Sequence, residues 1–172
     1  MARIFVDLDG VLADFERGAA AALGMSFAEH RQLHGEALTW RRLELTADFY
    51  RRLCWMKGGK TLWRELGEST TWDGPPPIIL TGLPLGTWAE PQKREWVRLN
   101  LGEGVPVICC LSRDKARYAC PGDILMDDRD EARLAWEEAG GVFIHHQGTA
   151  VGSLATLSDV LTEMSLQEGT PP

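Results

Sequence analysis

The chain has 172 residues, of which 44% are hydrophobic and 25% charged, with a net charge of -7. That length suits one domain burying roughly 70% of the surface its unfolded chain exposes, and a mean hydropathy of -0.18, with no apolar run near roughly 18 residues, argues against a membrane span. The acidic balance also argues against a nucleic-acid polymer as partner, because such binding draws on basic side chains that neutralise phosphates; a small phosphate ester remains compatible with it.

The chain opens on an apolar, β-branched strand over residues 2 to 6 that runs into the acidic turn Asp7-Leu8-Asp9-Gly10. Two aspartates so early break any secretory signal, so a cytoplasmic protein is expected. Residues 13 to 23 are alanine-rich and stop at Gly24, as a helix with a glycine C-cap does. Ser26 and Glu29 have the spacing of a capping box, which predicts a second helix to about residue 38. Further helix is expected around 47 to 53 and over 61 to 66. With no strand pattern from 14 to 68, this stretch reads as a helical block between two strands.

Residues 69 to 77, with Asp73-Gly74 and three successive prolines, form a loop that closes the block. Strand and helix then alternate: a strand at 78 to 81 and a helix at 91 to 101, a strand at 105 to 111 and a short irregular piece, a strand at 123 to 126 and a helix at 130 to 139. A last strand at 142 to 145 precedes a helix at 153 to 164, whose Leu154, Leu157, Leu161 and Met164 share a face. This alternation predicts an α/β fold with a parallel sheet and helices on both faces. Residues 1 to 13 and 75 to 164 are expected to form its core, 14 to 74 an inserted helical unit, and 165 to 172 a flexible tail.

In an open parallel sheet, ligands bind beyond the carboxyl ends of the strands. Those ends carry Asp7 and Asp9, Thr81-Gly82, Ser112-Arg113-Asp114-Lys115 and Asp127-Asp128. Carboxylates on one rim repel unless a hard divalent cation sits among them, and magnesium is the natural occupant. Asp7 and Asp9, two residues apart, suit a nucleophile and a proton donor. Thr81 offers a hydroxyl to phosphate oxygens. Pro91 reads as the first residue of a helix, which would place Lys93 in its first turn, facing an anion. The chain has only four lysines, Lys57, Lys60, Lys93 and Lys115; the first two read as surface charges, and Lys115 is the rival to Lys93.

The stretch Asp7-Leu8-Asp9-Gly10-Val11-Leu12-Ala13-Asp14-Phe15 resembles the first motif of the haloacid dehalogenase superfamily, most closely its 5'(3')-deoxyribonucleotidase branch. Ile79-Leu80-Thr81 resembles the second motif, Lys93 the third, and Asp123 to Arg129 the fourth; Ser112-Arg113-Asp114-Lys115 is similar to a Thr-Arg-Asp-Lys stretch of that branch. The resemblance implies a Rossmannoid three-layer α/β/α core with a small helical cap inserted after strand one. It implies Asp7 as nucleophile and magnesium ligand, Asp9 as general acid and base with its carbonyl on the metal, Asp127 as a further ligand, and Asp128 holding a metal-bound water. Thr81 and Lys93 would bind the phosphoryl group, and Phe15 would stack on a nucleobase. Gly82 departs from the branch, which has serine there, so a backbone amide is expected to take over one phosphate contact; Arg113 and Lys115 are carried over as substrate-binding candidates.

Trp40, with Trp55 and Trp88, is a candidate for lining the substrate pocket, against tryptophan's commoner role of filling a core. Cys109 and Cys110 read as buried small hydrophobes, and His145-His146 as structural and remote from the acidic cluster. The expected function is a magnesium-dependent phosphatase of a small phosphorylated metabolite, a nucleoside monophosphate foremost, acting through an aspartyl-phosphate. A phosphatase of a sugar or other metabolite phosphate, and a catalytically silent binding protein, stay open as alternatives, as does a homodimer.

Overall fold

The computed structural model of the chain describes residues 2–68, 72 and 74–168. Five parallel strands, β1 (Ile4–Val6), β2 (Ile78–Gly82), β3 (Val107–Cys110), β4 (Ile124–Asp127) and β5 (Val142–His145), form one sheet in the order β3-β2-β1-β4-β5. β1 is central, with Phe5 opposite both Ile78 and Leu125, which explains why its three residues are all apolar: parallel strands of this kind are covered on both faces.

The twofold alternation of a strand divides the apolar residues between two cores. Ile4, Val6, Ile79, Ile124, Met126 and Ile144 point to one face, where they meet α5 (Ala89–Asn100) through Trp96 and Val97 and α7 (Ala150–Glu168) through Leu157. Phe5, Leu80, Leu125 and Phe143 point to the other and pack on Trp136 of α6 (Arg133–Glu138), with Phe5 and Trp136 edge to face at 5.3 Å. The result is the three-layer α/β/α arrangement expected from the alternation. Both buried indoles are satisfied, Trp96 donating to the Leu53 carbonyl at 2.8 Å and Trp136 to that of Asp123 at 3.2 Å.

Between β1 and β2 lie α1 (Phe15–Leu23), α2 (Phe27–His34), α3 (Glu36–Glu44) and α4 (Gly59–Glu68). Asp14 caps α1 by accepting from the Arg17 amide, and Gly24 ends it in the left-handed region at φ 79. Ser26 and Glu29 form the capping box of α2. The single helix expected to about residue 38 is two, because Gly35 at φ 84 breaks the chain between α2 and α3. The insertion returns beside its own start: the Asp14 amide donates to the Cys54 carbonyl at 2.8 Å and the Met56 amide to that of Leu12 at 2.7 Å. Leu43, Tyr50, Leu62 and Leu66 bury in the same apolar cluster as Ile79 and Trp96.

Several sequence expectations change. The stretch 47 to 53 is a series of turns rather than a helix: Asp48 sits at φ 55, outside the right-handed helical region, and the Tyr50 amide donates to Oε1 of Gln92 at 2.9 Å instead of to the preceding turn. α5 begins at Ala89, so Pro91 is its third residue and Lys93 its fifth, beyond the first turn; the first four helical amides lack intrahelical acceptors, so proline is tolerated there. The piece after β3 is a 3-10 helix (Ser112–Tyr118), and a 3-10 turn (Asp130–Ala132) precedes α6. α7 continues to Glu168, past the expected start of the tail at 165. Of the expected loop, residues 69–71 and 73 lie outside the described residues, as do 169–172 of the expected tail. Cys109 and Cys110 are half-buried, since β3 is an edge strand. Among the described residues no helix is long and apolar enough to cross a membrane.

Candidate active site

The carboxyl ends of β1, β2, β3 and β4 bring together most of the residues singled out in the sequence. Asp7 follows β1 and is 1% exposed; Asp127 ends β4 and is 2% exposed. One carboxylate oxygen from each of Asp7, Asp127 and Asp128 lies within 4.8 Å of the other two. Lys115, buried on the 3-10 helix after β3, puts Nζ 2.6 Å from Oδ2 of Asp127 and 3.1 Å from Oδ1 of Asp7. With all three carboxylates ionised it offsets one negative charge and leaves two, which one divalent cation would balance.

The donor set fits such a cation. Oδ1 of Asp128 is buried without a hydrogen-bond partner, and Oδ1 of Asp7 has only the Lys115 ammonium at 3.1 Å; a buried anionic oxygen is costly unless positive charge meets it. All the groups are hard oxygens, the ligands magnesium prefers. Gly10 makes the cluster possible: it sits at φ 75, and a Cβ there would lie 2.1 Å from Oδ2 of Asp128. No other residue leaves that space and adopts that backbone as readily.

Asp9 takes a different direction. Its Oδ2 accepts from Lys93 Nζ at 2.6 Å, and the same ammonium donates to Oγ1 of Thr81 at 3.0 Å and to the Gly82 carbonyl at 2.7 Å. Lys93, with no solvent exposure, therefore reaches the strand ends with its side chain from the second turn of α5, and its position owes nothing to a helix terminus. Both candidate lysines belong to the site with separate partners: Lys115 with the three-carboxylate cluster, Lys93 with Asp9 and Thr81.

The two aspartates of the first turn differ in acidity. Burial works against ionising Asp7, but Lys115 and Lys93 overcome it and hold the carboxyl below its usual range. For Asp9 burial prevails over Lys93, aided by the charge of Asp7, and the carboxyl is held above its usual range. Burial and the charge of Asp7 likewise raise Asp127, and burial, Asp7 and Asp127 push Asp128 up to about 7. An ionised Asp7 beside a more proton-retentive Asp9 is the division that a nucleophile and a general acid require.

Phe15 lies in an aromatic cluster, stacked on Tyr50 at 6.2 Å, edge-on to Phe27 at 5.3 Å and to Phe49 at 5.7 Å, and 6.0 Å from Trp40. The cluster touches the site through Tyr50, whose ring centroid is 4.5 Å from Lys93 Nζ, and Trp88 covers Tyr50 at 5.2 Å. Trp55 packs instead on Trp96 at 5.1 Å. Arg113 is exposed, its side chain makes no hydrogen bond or ion pair to another described residue, and it is not drawn into the cluster.

Three participants went unrecognised in the sequence. Tyr50 was hidden in what read as an ordinary helix. Ser112 and Arg129 lie inside two of the quoted motifs but carried no role of their own, yet Nη2 of Arg129 donates to Oγ of Ser112 at 3.0 Å and the Arg129 amide donates to Oδ1 of Asp127 at 3.0 Å. His145 also differs from expectation: it pairs in register with Asp127 across β4 and β5, and its Nε2 lies 3.0 Å from the Asp128 carbonyl, so it borders the acidic loop. Strand adjacency, invisible in the sequence, accounts for this.

No protein-family profile matches the chain, and no curated protein matches it by sequence. Among solved structures, a protein of Burkholderia xenovorans LB400, described provisionally as a haloacid dehalogenase-like hydrolase, is similar over 84% of this chain and 83% of its own, with 14% identity and a TM-score of 0.47. The functional reading therefore rests on the geometry of the residues.

Proposed function

We propose that the chain is a magnesium-dependent phosphomonoester hydrolase of the haloacid dehalogenase type, acting through an aspartyl-phosphate on Asp7, with a 5'- or 3'-(deoxy)nucleoside monophosphate as substrate. The observation that carries it is the pairing of two carboxylate environments on one rim: the Asp7, Asp127 and Asp128 cluster with the unpartnered Oδ1 of Asp128, and the Asp9, Lys93 and Thr81 group beside it. The aromatic cluster that meets Lys93 through Tyr50 supports an aromatic base as part of the substrate.

Magnesium held by Asp7, Asp127 and Asp128, with the Asp9 carbonyl, would neutralise the phosphoryl oxygens and reduce their repulsion of the nucleophile. The Asp7 carboxylate forms a bond to phosphorus as the bond to the ester oxygen breaks. Asp9, whose environment favours retention of a proton, gives that proton to the leaving oxygen. In the second half Asp9 takes a proton from water as the water oxygen attacks phosphorus, the Asp7 acyl phosphate bond breaks, and inorganic phosphate leaves. Lys93 and Thr81 bind the phosphoryl oxygens, the ammonium offsetting charge that grows in the transition state.

The test is hydrolysis of a panel of phosphate esters, deoxynucleotides beside sugar phosphates, with magnesium and after EDTA treatment. Magnesium-dependent turnover of the nucleotides is expected, abolished in Asp7→Asn and reduced about 10² to 10⁴-fold in Asp9→Asn. Turnover of sugar phosphates alone would overturn the substrate class; full activity after EDTA, or in Asp7→Asn with deamidation excluded by mass spectrometry, would overturn the mechanism.

A further inference from the structure

The end of β2 lacks a side chain where the site faces its ligand. Gly82 pairs in register with Cys110 of β3, and the Leu83 amide donates to the Cys110 carbonyl at 2.7 Å. Ser112, two residues beyond Cys110, is thereby carried over Gly82: a Cβ at Gly82 would lie 2.3 Å from Oγ of Ser112 and 3.7 Å from Nη2 of Arg129. The serine hydroxyl thus fills the volume that any larger residue at position 82 would claim.

That hydroxyl is held in a defined state. It accepts from Nη2 of Arg129 at 3.0 Å, so its own proton must point elsewhere, and no other described residue accepts it. A half-buried hydroxyl with a fixed acceptor side and a free proton is a donor awaiting an acceptor. Its neighbours identify that acceptor as an anion: the Gly82 carbonyl beneath it binds Lys93 at 2.7 Å, Lys93 also holds Thr81, and Arg129 brings a second cation to the same rim. Arg129 is itself anchored by its amide to Asp127, so three strand ends meet at this point.

We propose that Ser112 is a substrate-binding residue whose hydroxyl donates to a phosphoryl oxygen, with Arg129 orienting it and Gly82 making the space it occupies. This assignment rests on the phosphomonoester reading for its ligand. Ser112 supplies from the end of β3 a hydroxyl that β2 itself does not provide.

A hydroxyl swap tests it. Binding of inorganic phosphate in the presence of magnesium is measured by calorimetry, and KM and kcat for p-nitrophenyl phosphate by steady-state kinetics, in wild type, Ser112→Ala, Ser112→Thr and the double variant Gly82→Ser with Ser112→Ala. One hydrogen bond to a charged group corresponds to an affinity loss on the order of 10- to 100-fold. Ser112→Ala is expected to lose that much in phosphate affinity and in KM, with kcat less affected and the thermal midpoint nearly unchanged. Ser112→Thr should keep the wild-type affinity, and the double variant should recover most of the loss by returning a hydroxyl to the same volume. Phosphate affinity in Ser112→Ala equal to wild type, or no recovery in the double variant, overturns the assignment. A wild type that binds phosphate in a Ser112-dependent way yet hydrolyses no ester would retain the anion site and refute the hydrolase reading, whereas a wild type that neither binds phosphate nor hydrolyses the ester refutes both.

Discussion

Nζ of Lys93 lies 2.6 Å from Oδ2 of Asp9, and the lysine side chain has no solvent exposure. An ammonium so buried is held by its partners alone, Asp9, Thr81 and the Gly82 carbonyl, and two of these are the groups the proposed mechanism uses, Asp9 at the leaving oxygen and Thr81 at the phosphoryl group. Lys93→Met is therefore expected to lower kcat/KM on the order of 10² to 10³-fold, as for other preorganised charge-stabilising groups. Steady-state kinetics on the purified variant decides it, and a loss below about threefold would remove Lys93 from the machinery.

Lys115 should behave differently. Its partners Asp7 and Asp127 are the buried carboxylates of the cation cluster, and removing one member of a buried ion pair costs about 3 to 5 kcal/mol. Lys115→Met should lose stability of that order in metal-free buffer and regain much of it with magnesium, which can supply the missing charge. Chemical denaturation with and without the cation measures this. Equal losses in both conditions would mean that the cluster is not where magnesium acts.

The acidic cluster also predicts a pH dependence. Burial first, and the charges of Asp7 and Asp127 next, push the Asp128 carboxyl up to about 7, while an unfolded aspartate titrates near about 3.9. The folded protein then binds a proton that the unfolded chain releases, so metal-free stability falls as pH rises from about 4 to about 7 and changes little above that on this account. Magnesium must displace that proton, so its Kd should weaken as pH falls from about 8 to about 6. Calorimetric titration across that range, paired with thermal midpoints of the metal-free protein, tests both directions; a Kd independent of pH would contradict them.

Gly10 offers a test aimed at geometry alone. Its φ of 75 and the 2.1 Å approach of a would-be Cβ to Oδ2 of Asp128 mean that Gly10→Ala must shift the carboxylate. Magnesium affinity should drop about 10- to 100-fold, the range for disturbing groups that support metal ligands, with far-UV circular dichroism unchanged. Unaltered affinity would show that Asp128 does not contribute to the cation site.

Phe15→Ala separates packing from recognition. The ring is partly buried and packs against Phe27, Trp40, Phe49 and Tyr50, so truncation should cost about 1.5 to 3 kcal/mol of stability. A stacking role adds a selective loss of about 1 to 3 kcal/mol in binding a nucleotide, absent for deoxyribose 5-phosphate. Equal kinetic losses on the two substrates, beside the stability loss, would assign Phe15 to packing alone.

Local pattern by itself determined the five strands, the helices that follow them and the acidic residues at their ends, because alternation, capping and turn chemistry act between residues a few positions apart. The apolar run of β1 ending at Asp7 and the Ser26 to Glu29 capping box are of this kind. Even locally, the turns at 47 to 53 escaped, since the Tyr50 amide is claimed by Gln92, 42 residues away. Only the tertiary structure decided that Lys115 serves Asp7 and Asp127 while Lys93 serves Asp9, that His145 lies beside the acidic loop, and that Ser112 fills the space above Gly82. Those relationships depend on which strands are neighbours and in what register, and that is settled by burying both faces of the sheet at once, a collective condition that no short stretch of chain records.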